Sequence, residues 1–324
     1  MLRVLSPMAL AALLLATLPL AAQAESLLVV LNKSDHEAVL IEPRTFSIIA
    51  KLPTGIGPHE AAASPDGRFV YVANYGTRTP GNTITVIDIP GRRVARTLDL
   101  GEYRRPHGIG VSRDGKLLWV TCEANQAVLE INSASGAIAR VYQTGQQVSH
   151  MVVPTPDERK LYVANIGSGS VTVIERTSGR VKTIPTGAGT EGIDVSPDGR
   201  EVWVGNRAAD SISVIDTATD QVVVTFFSEG QMPIRVKFTP DGKQVWVSNA
   251  RSNAVASFDA ASRQHLTTIG TGSMPVGILL EPGGRRAFVA NTQSNQVTVI
   301  DVATKSIVHR IAPGTEPDGM TWVR

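Results

Sequence analysis

The 324-residue chain has one cysteine, Cys122, so no intrachain disulfide can staple it and its stability must come from burial and strand pairing. It has no basic run, and its 31 Lys and Arg nearly balance its 29 Asp and Glu. That removes the electrostatic footprint of a dedicated nucleic-acid binder. Beyond the first 24 residues no apolar stretch is long enough to span a bilayer. A phosphate-cradling loop, a nucleophile elbow, a Cys-His haem motif and a serine triad are also missing, which sets aside several large classes of catalysis. With 42% hydrophobic and 19% charged residues, the chain is neither disordered nor a collagen-like fibre and can close a large core.

Glycine and proline are plentiful, at 29 and 19 residues. Both break helix interiors and suit tight turns, so many strands are expected. The N-terminus reads as an export signal: Arg3, an apolar stretch from Leu10 to Leu15, and small residues at Ala22-Gln23-Ala24. Cleavage before Glu25 would leave a mature chain of 25–324 with a net charge of +1, 30 basic against 29 acidic side chains. A bacterial periplasm is the expected compartment, with no membrane attachment after signal removal.

A turn motif recurs through the chain as Ser64-Pro65-Asp66-Gly67, Ser112-Arg113-Asp114-Gly115, Thr155-Pro156-Asp157-Glu158, Ser196-Pro197-Asp198-Gly199, Thr239-Pro240-Asp241-Gly242 and Glu281-Pro282-Gly283-Gly284. The intervals are 48, 43, 41, 43 and 42 residues. Proline presets φ for a turn, while Asp-Gly supplies a side-chain acceptor and a residue free to take positive φ. After each turn comes an apolar strand ending mostly in Asn, then an alternating strand such as Ser211-Ile212-Ser213-Val214-Ile215-Asp216, then an outer strand such as Val222 to Phe227. Four strands per period of about 40 to 45 residues predict an all-β, seven-bladed β-propeller of four-stranded antiparallel blades. The first unit lacks its inner strand, and Pro317 to Val323 matches the inner strands elsewhere. The C-terminal strand is therefore expected to join the N-terminal blade and close the ring.

One register position departs from repeat logic. Just before each inner strand the same slot holds His59, His107, His150, Glu191, Ile234, Val276 and, across the closure, Asp318. Random placement would put roughly 0.14 of the six histidines in seven chosen slots, and three are found there. Inner strands line a propeller's central channel, so these side chains should converge at one mouth. His59, His107, His150, Glu191 and Asp318 match the ligand types for Zn, Fe(II) or Mn, with positions left for water or substrate. Two other readings stay open: an organic ligand held by the same groups, and a network bonded to backbone carbonyls or channel water. Glu60 and Arg235, one position on, are candidates to orient those groups or to form ion pairs. Two longer connections flank His59 and His107, one of them carrying Tyr103, Arg104 and Arg105, which would face an anionic or aromatic ligand or lie in a solvated loop. Glu123, beside Cys122, is a further candidate near His107. His36, His265 and His309 fall outside the register.

The Tyr-Val-Ala-Asn and Trp-Val-Gly-Asn strand ends, with their Ser-Pro-Asp-Gly turns and Val-Ile-Asp strands, resemble the YVTN-repeat β-propeller family across residues 27 to 324. The resemblance implies a seven-bladed fold, and exported members look like accessory proteins of periplasmic oxidation pathways. Pro106-His107-Gly108 and Ser149-His150-Met151 are also similar to sites of the seven-bladed lactonases. That family has an Arg where this chain has Ser149 and a Glu where it has Ile166. His59, His107, His150 and Glu191 resemble the Pro-His sites of the streptogramin lyases, which imply a divalent ion. Fold alone does not choose among these. The expectation is a monomeric binding or accessory protein that holds a divalent metal or small ligand at the channel mouth, its partner a small molecule or a periplasmic protein. A metal-dependent lyase or lactonase using the same cluster is the alternative.

Overall fold

A computed structural model describes residues 26–324; the signal segment expected at 1–24 lies outside them. Seven four-stranded antiparallel sheets form a closed ring from 28 strands, β1 to β28 in chain order. The first blade takes its inner strand from the C-terminus: β28 (Pro317–Val323) pairs with β1 (Leu27–Asn32), followed outward by β2 (Glu37–Ile41) and β3 (Ile48–Pro53). Leu27 faces Val323 and Val30 faces Met320, so both chain ends are held in one sheet, as the sequence anticipates. Among the described residues no helix is long and apolar enough to cross a membrane.

The inner strands of the other six blades are β4 (Pro58–Ala63), β8 (Pro106–Val111), β12 (Ser149–Pro154), β16 (Thr190–Val195), β20 (Pro233–Phe238) and β24 (Pro275–Leu280). Trp119, Trp203 and Trp246 lie on second strands and are fully buried. Each joins a hydrophobic cluster that extends into the next blade: Trp203 with Val236 and Phe238, Trp246 with Ile278 and Val289. The blades thus bury their faces only against neighbours.

The repeated Asn has a clear task. Asn74 Nδ2 donates to Thr83 and Thr85 at 3.0 Å, and its Oδ1 accepts from the Gly55 N–H at 3.1 Å. Asn165 and Asn206 likewise bond Thr172 and Ser213 on the third strand, at 2.9 Å each, and accept from Ser149 and Thr190 at the head of the inner strand. In the second, fourth and fifth blades the buried amide ties three parts of the blade together, whereas the Oδ1 of Asn32, Asn249 and Asn291 has no partner. In the third blade the place is taken by Cys122, whose thiol is pushed up to about 12 by burial and is therefore unreactive. One long connection is more ordered than a loop: β5 (Phe69–Gly76) and β6 (Pro80–Asp88) extend into a projecting hairpin, with Gly76 paired to Pro80.

Candidate site at the channel mouth

The slot that carries the histidines is a β-bulge in every blade. Pairing of the inner strand with its neighbour skips from Pro58 to Glu60, Pro106 to Ile109, Ser149 to Met151, Thr190 to Ile193, Pro233 to Arg235 and Pro275 to Gly277. In β28 it skips from Pro317 to Met320. A bulge leaves its extra residue unpaired and re-aims the side chain. Here it turns seven side chains into one cavity of about 170 Å³ that contains His59, His107, His150, Glu191, Ile234, Val276 and Asp318.

Within the cavity the polar groups fall into three sets. His107 and His150 stack with ring centroids 3.6 Å apart, and His59 lies 4.9 Å from His107. His150 Nδ1 donates to Glu123 Oε1 at 2.5 Å, and its Nε2 faces Glu191 Oε1 at 3.5 Å. Glu123 Oε2 accepts from the Tyr75 hydroxyl at 2.6 Å. A second set joins His59 Nδ1 and Lys33 Nζ to Asp318 Oδ2 at 3.2 and 3.1 Å. A third pairs Arg207 with the other oxygen of Glu191 at 2.8 Å. Donor atoms of His107, His150 and Glu123 all lie within 4.8 Å of one another, so these three can share an ion. His59 and Asp318 are engaged with each other and with Lys33.

The charge states follow from these partners. Burial alone would lower the His150 pKa, but hydrogen bonds to Glu123 and Glu191 outweigh it and raise the imidazole to about 9. Burial pushes His107 well below its ordinary value, and the neighbouring His150 and His59 push the same way. One ring of the stack is thus protonated and the other neutral at pH 7. His107 Nδ1 is buried with no hydrogen-bond partner. Burial works against ionisation of Asp318, yet Lys33 and His59 hold its carboxyl far below the usual range.

Beneath the mouth, Arg235 of the sixth blade crosses the channel to Glu60 of the second. Both are buried, and Arg235 also reaches Met151 Sδ at 3.4 Å and Asp318 Oδ1 at 4.0 Å. This bar separates the mouth from a larger chamber of about 500 Å³ toward the other end, walled by Ala61, Ile109, Val153 and Leu279 and rimmed by Lys237 and Asp194. Of the flanking loop residues, Arg105 stacks on Tyr75 at 4.7 Å and bonds the Thr77 carbonyl. Arg104 turns back to the carbonyl of Gly101, and Tyr103 packs against the core near Tyr71 and Leu98. Neither of the latter two lines the mouth. His36 accepts from the Gly57 N–H through Nδ1, while His309 stacks on Phe46.

A family profile described as YNCE-like beta-propeller matches residues 111–282, more than half of the sequence. The chain belongs to the YNCE-like β-propeller family. No curated protein matches it. Among solved structures, this YNCE-like chain is similar to Kuenenia stuttgartiensis hydrazine synthase, at 22% identity and a TM-score of 0.75 over 85% of this chain and 92% of that one. A putative 6-phosphogluconolactonase from Bacteroides fragilis matches at 16% identity and a TM-score of 0.77, over 94% and 99%. The dihydro-heme d1 dehydrogenase NirN matches at 18% identity and a TM-score of 0.64, over 95% and 78%. These likenesses establish the fold.

The second register slot went unread as a slot in the sequence. The residue after each strand-end Asn or Cys is Lys33, Tyr75, Glu123, Ile166, Arg207, Ala250 or Thr292. Four of these supply the partners of the histidines and acids at the mouth.

Proposed function

We propose that this propeller is a periplasmic binding protein that holds a divalent metal ion at the channel mouth and, through it, a small ligand. The observation that carries the reading is the convergence of His107, His150 and Glu123, with a buried imidazole nitrogen on His107 that has no partner. Buried polar atoms are rarely left unsatisfied without reason. Glu123, held by the Tyr75 hydroxyl through one oxygen, presents the other to His150 Nδ1, the nitrogen that an ion shared with Glu123 would take. The charge count also fits. Glu60, Glu123, Glu191 and Asp318 face Lys33, Arg207 and Arg235, so these groups carry one excess negative charge, which the proton on His150 offsets until an ion takes its place. Nitrogen and carboxylate donors suit Zn, Fe(II) or Mn. A bound ion would displace the proton of His150, making uptake pH-dependent.

Metal analysis of untagged protein purified from the periplasmic fraction tests this. We expect about one divalent ion per chain, lost in His107→Ala and in Glu123→Gln. Ion content near zero, or equal in the variants, refutes the metal; retention of the protein in the cytosol refutes the compartment.

The Tyr75–Glu123–His150 chain favours a second reading, a metal-dependent lyase or lactonase. In that chain Tyr75 and His150 both donate to Glu123, which sets His150 as a proton donor beside the neutral base His107. Chelator-sensitive turnover of a lactone library, abolished by His150→Ala, is expected of that reading, and binding without turnover eliminates it.

A further inference from the structure

The mouth is divided by chemistry. Blades one to five contribute Asp318, three histidines and Glu191, whereas blades six and seven contribute Ile234 and Val276 at the same slot. The apolar side is enlarged by Met232 and Met274, which stand two residues before those positions and line the same cavity. Both methionines occupy left-handed backbone, at φ of 61° and 58°. The equivalent position is left-handed in every blade, held by Gly57 and Gly189, which take that conformation without steric cost, and by Arg105, Val148 and Glu316. The conformation belongs to the repeat; what sets the sixth and seventh blades apart is that the side chain at this position lines the cavity. Methionine is also the side chain that adapts best to an apolar guest.

Resting on the metal-mouth reading above, we propose that the ligand is a small carboxylic acid: its carboxylate meets the histidine side, and an apolar body of about four to six carbons lies on Met232, Ile234, Met274 and Val276. The size is set by the cavity, since a void of about 150 Å³ takes a benzene. Lys33 and Arg207 line the same cavity on that side and give the head its cationic complement.

The test uses the protein labelled with ¹³C-methyl methionine, assigned by Met232→Leu and Met274→Leu. Acetate, butyrate and hexanoate are titrated with and without one equivalent of Zn²⁺. The Met232 and Met274 methyls should shift saturably, with affinity rising roughly fourfold per added methylene, while Met320 in the other chamber stays still. The double variant Met232→Gly/Met274→Gly should flatten that gradient without lowering the melting midpoint, because glycine takes the left-handed conformation without steric cost. A gradient that needs Zn²⁺ supports both proposals. One indifferent to Zn²⁺ supports the apolar wall and removes the metal. A flat series, unmoved Met232 and Met274 methyls, or a response at Met320 instead overturns this inference whatever Zn²⁺ does.

Discussion

The two ends of the channel obey different rules. At the turn end the repeats are nearly copies: the hydroxyl of Ser64, Thr155, Ser196 or Thr239 donates to the Asp two residues on at 2.5–2.7 Å, and the same Asp oxygen accepts the N–H two further along. At the mouth, seven equivalent bulges carry imidazoles, acids, isoleucine and valine. The backbone is equally regular at both ends. Difference in side chains therefore measures where folding alone has stopped dictating the residue.

The largest effect should come from breaking the ring that both ends share. Removal of residues 317–324 strips β1 of its partner, exposes the faces covered by Met320 and Val323, and takes Asp318 from the mouth. A fall in the melting midpoint of more than about 10 °C, or loss of a cooperative transition, is expected by calorimetry. A midpoint that holds would mean the closure adds nothing.

Next in size is the bar across the channel. Arg235 and Lys237 lie two residues apart on β20, one in the buried pair with Glu60 and one in a half-exposed pair with Asp194 at 3.4 Å. Arg235→Ala strands a buried carboxylate and should cost about 3–5 kcal/mol, much of it regained on adding Glu60→Gln. Lys237→Ala should cost about 1 kcal/mol or less. Equal costs in urea titrations would erase the distinction between the two ends.

Near and above neutral pH, titration effects should be confined to the mouth. His150 has its pKa raised in the fold, so its contribution is whole below about 6.5 and is lost as pH climbs through about 9. His107 has its pKa lowered, so the fold loses stability as pH drops below about 6.5, where the unfolded chain takes up a proton that the native chain resists. The contribution of these two groups should therefore peak near pH 6.5. Glu123→Gln should shift the His150 resonance titration downward in NMR; an unmoved titration would detach Glu123 from it.

Most of the fold was legible because its causes are local: Pro and Asp-Gly set turns, and alternation sets strands. The ring closure was legible because Pro317 to Val323 repeats a pattern missing at the start. The histidine slot stood out as polar residues where repeats need none. What stayed hidden depends on approach through space. Glu60 and Arg235 are 175 residues apart and meet only because the second and sixth blades face each other across the axis. Lys33 and Arg207 gain meaning only once Asp318 and Glu191 are beside them. Tyr103 looked like a binding residue in a long connection, but that connection folds back and the ring packs into the core instead.

The smallest expected effect is also the one that best separates the ends. The carboxyls of Asp66 and Asp198 are held below their ordinary range chiefly by the Ser64 and Ser196 hydroxyls, so the stability they lend is present above about pH 4 and fades as pH falls through the folded values. Asp66→Asn and Asp198→Asn each weaken one charged hydrogen bond and should cost about 1 kcal/mol or less. The size matters less than the sameness: because the turns are structural copies, the two losses should agree within error and leave any ion or acid bound at the mouth undisturbed. Substitutions at His59, His107 and His150 should disagree with one another in both respects, since each occupies the same backbone position with different partners.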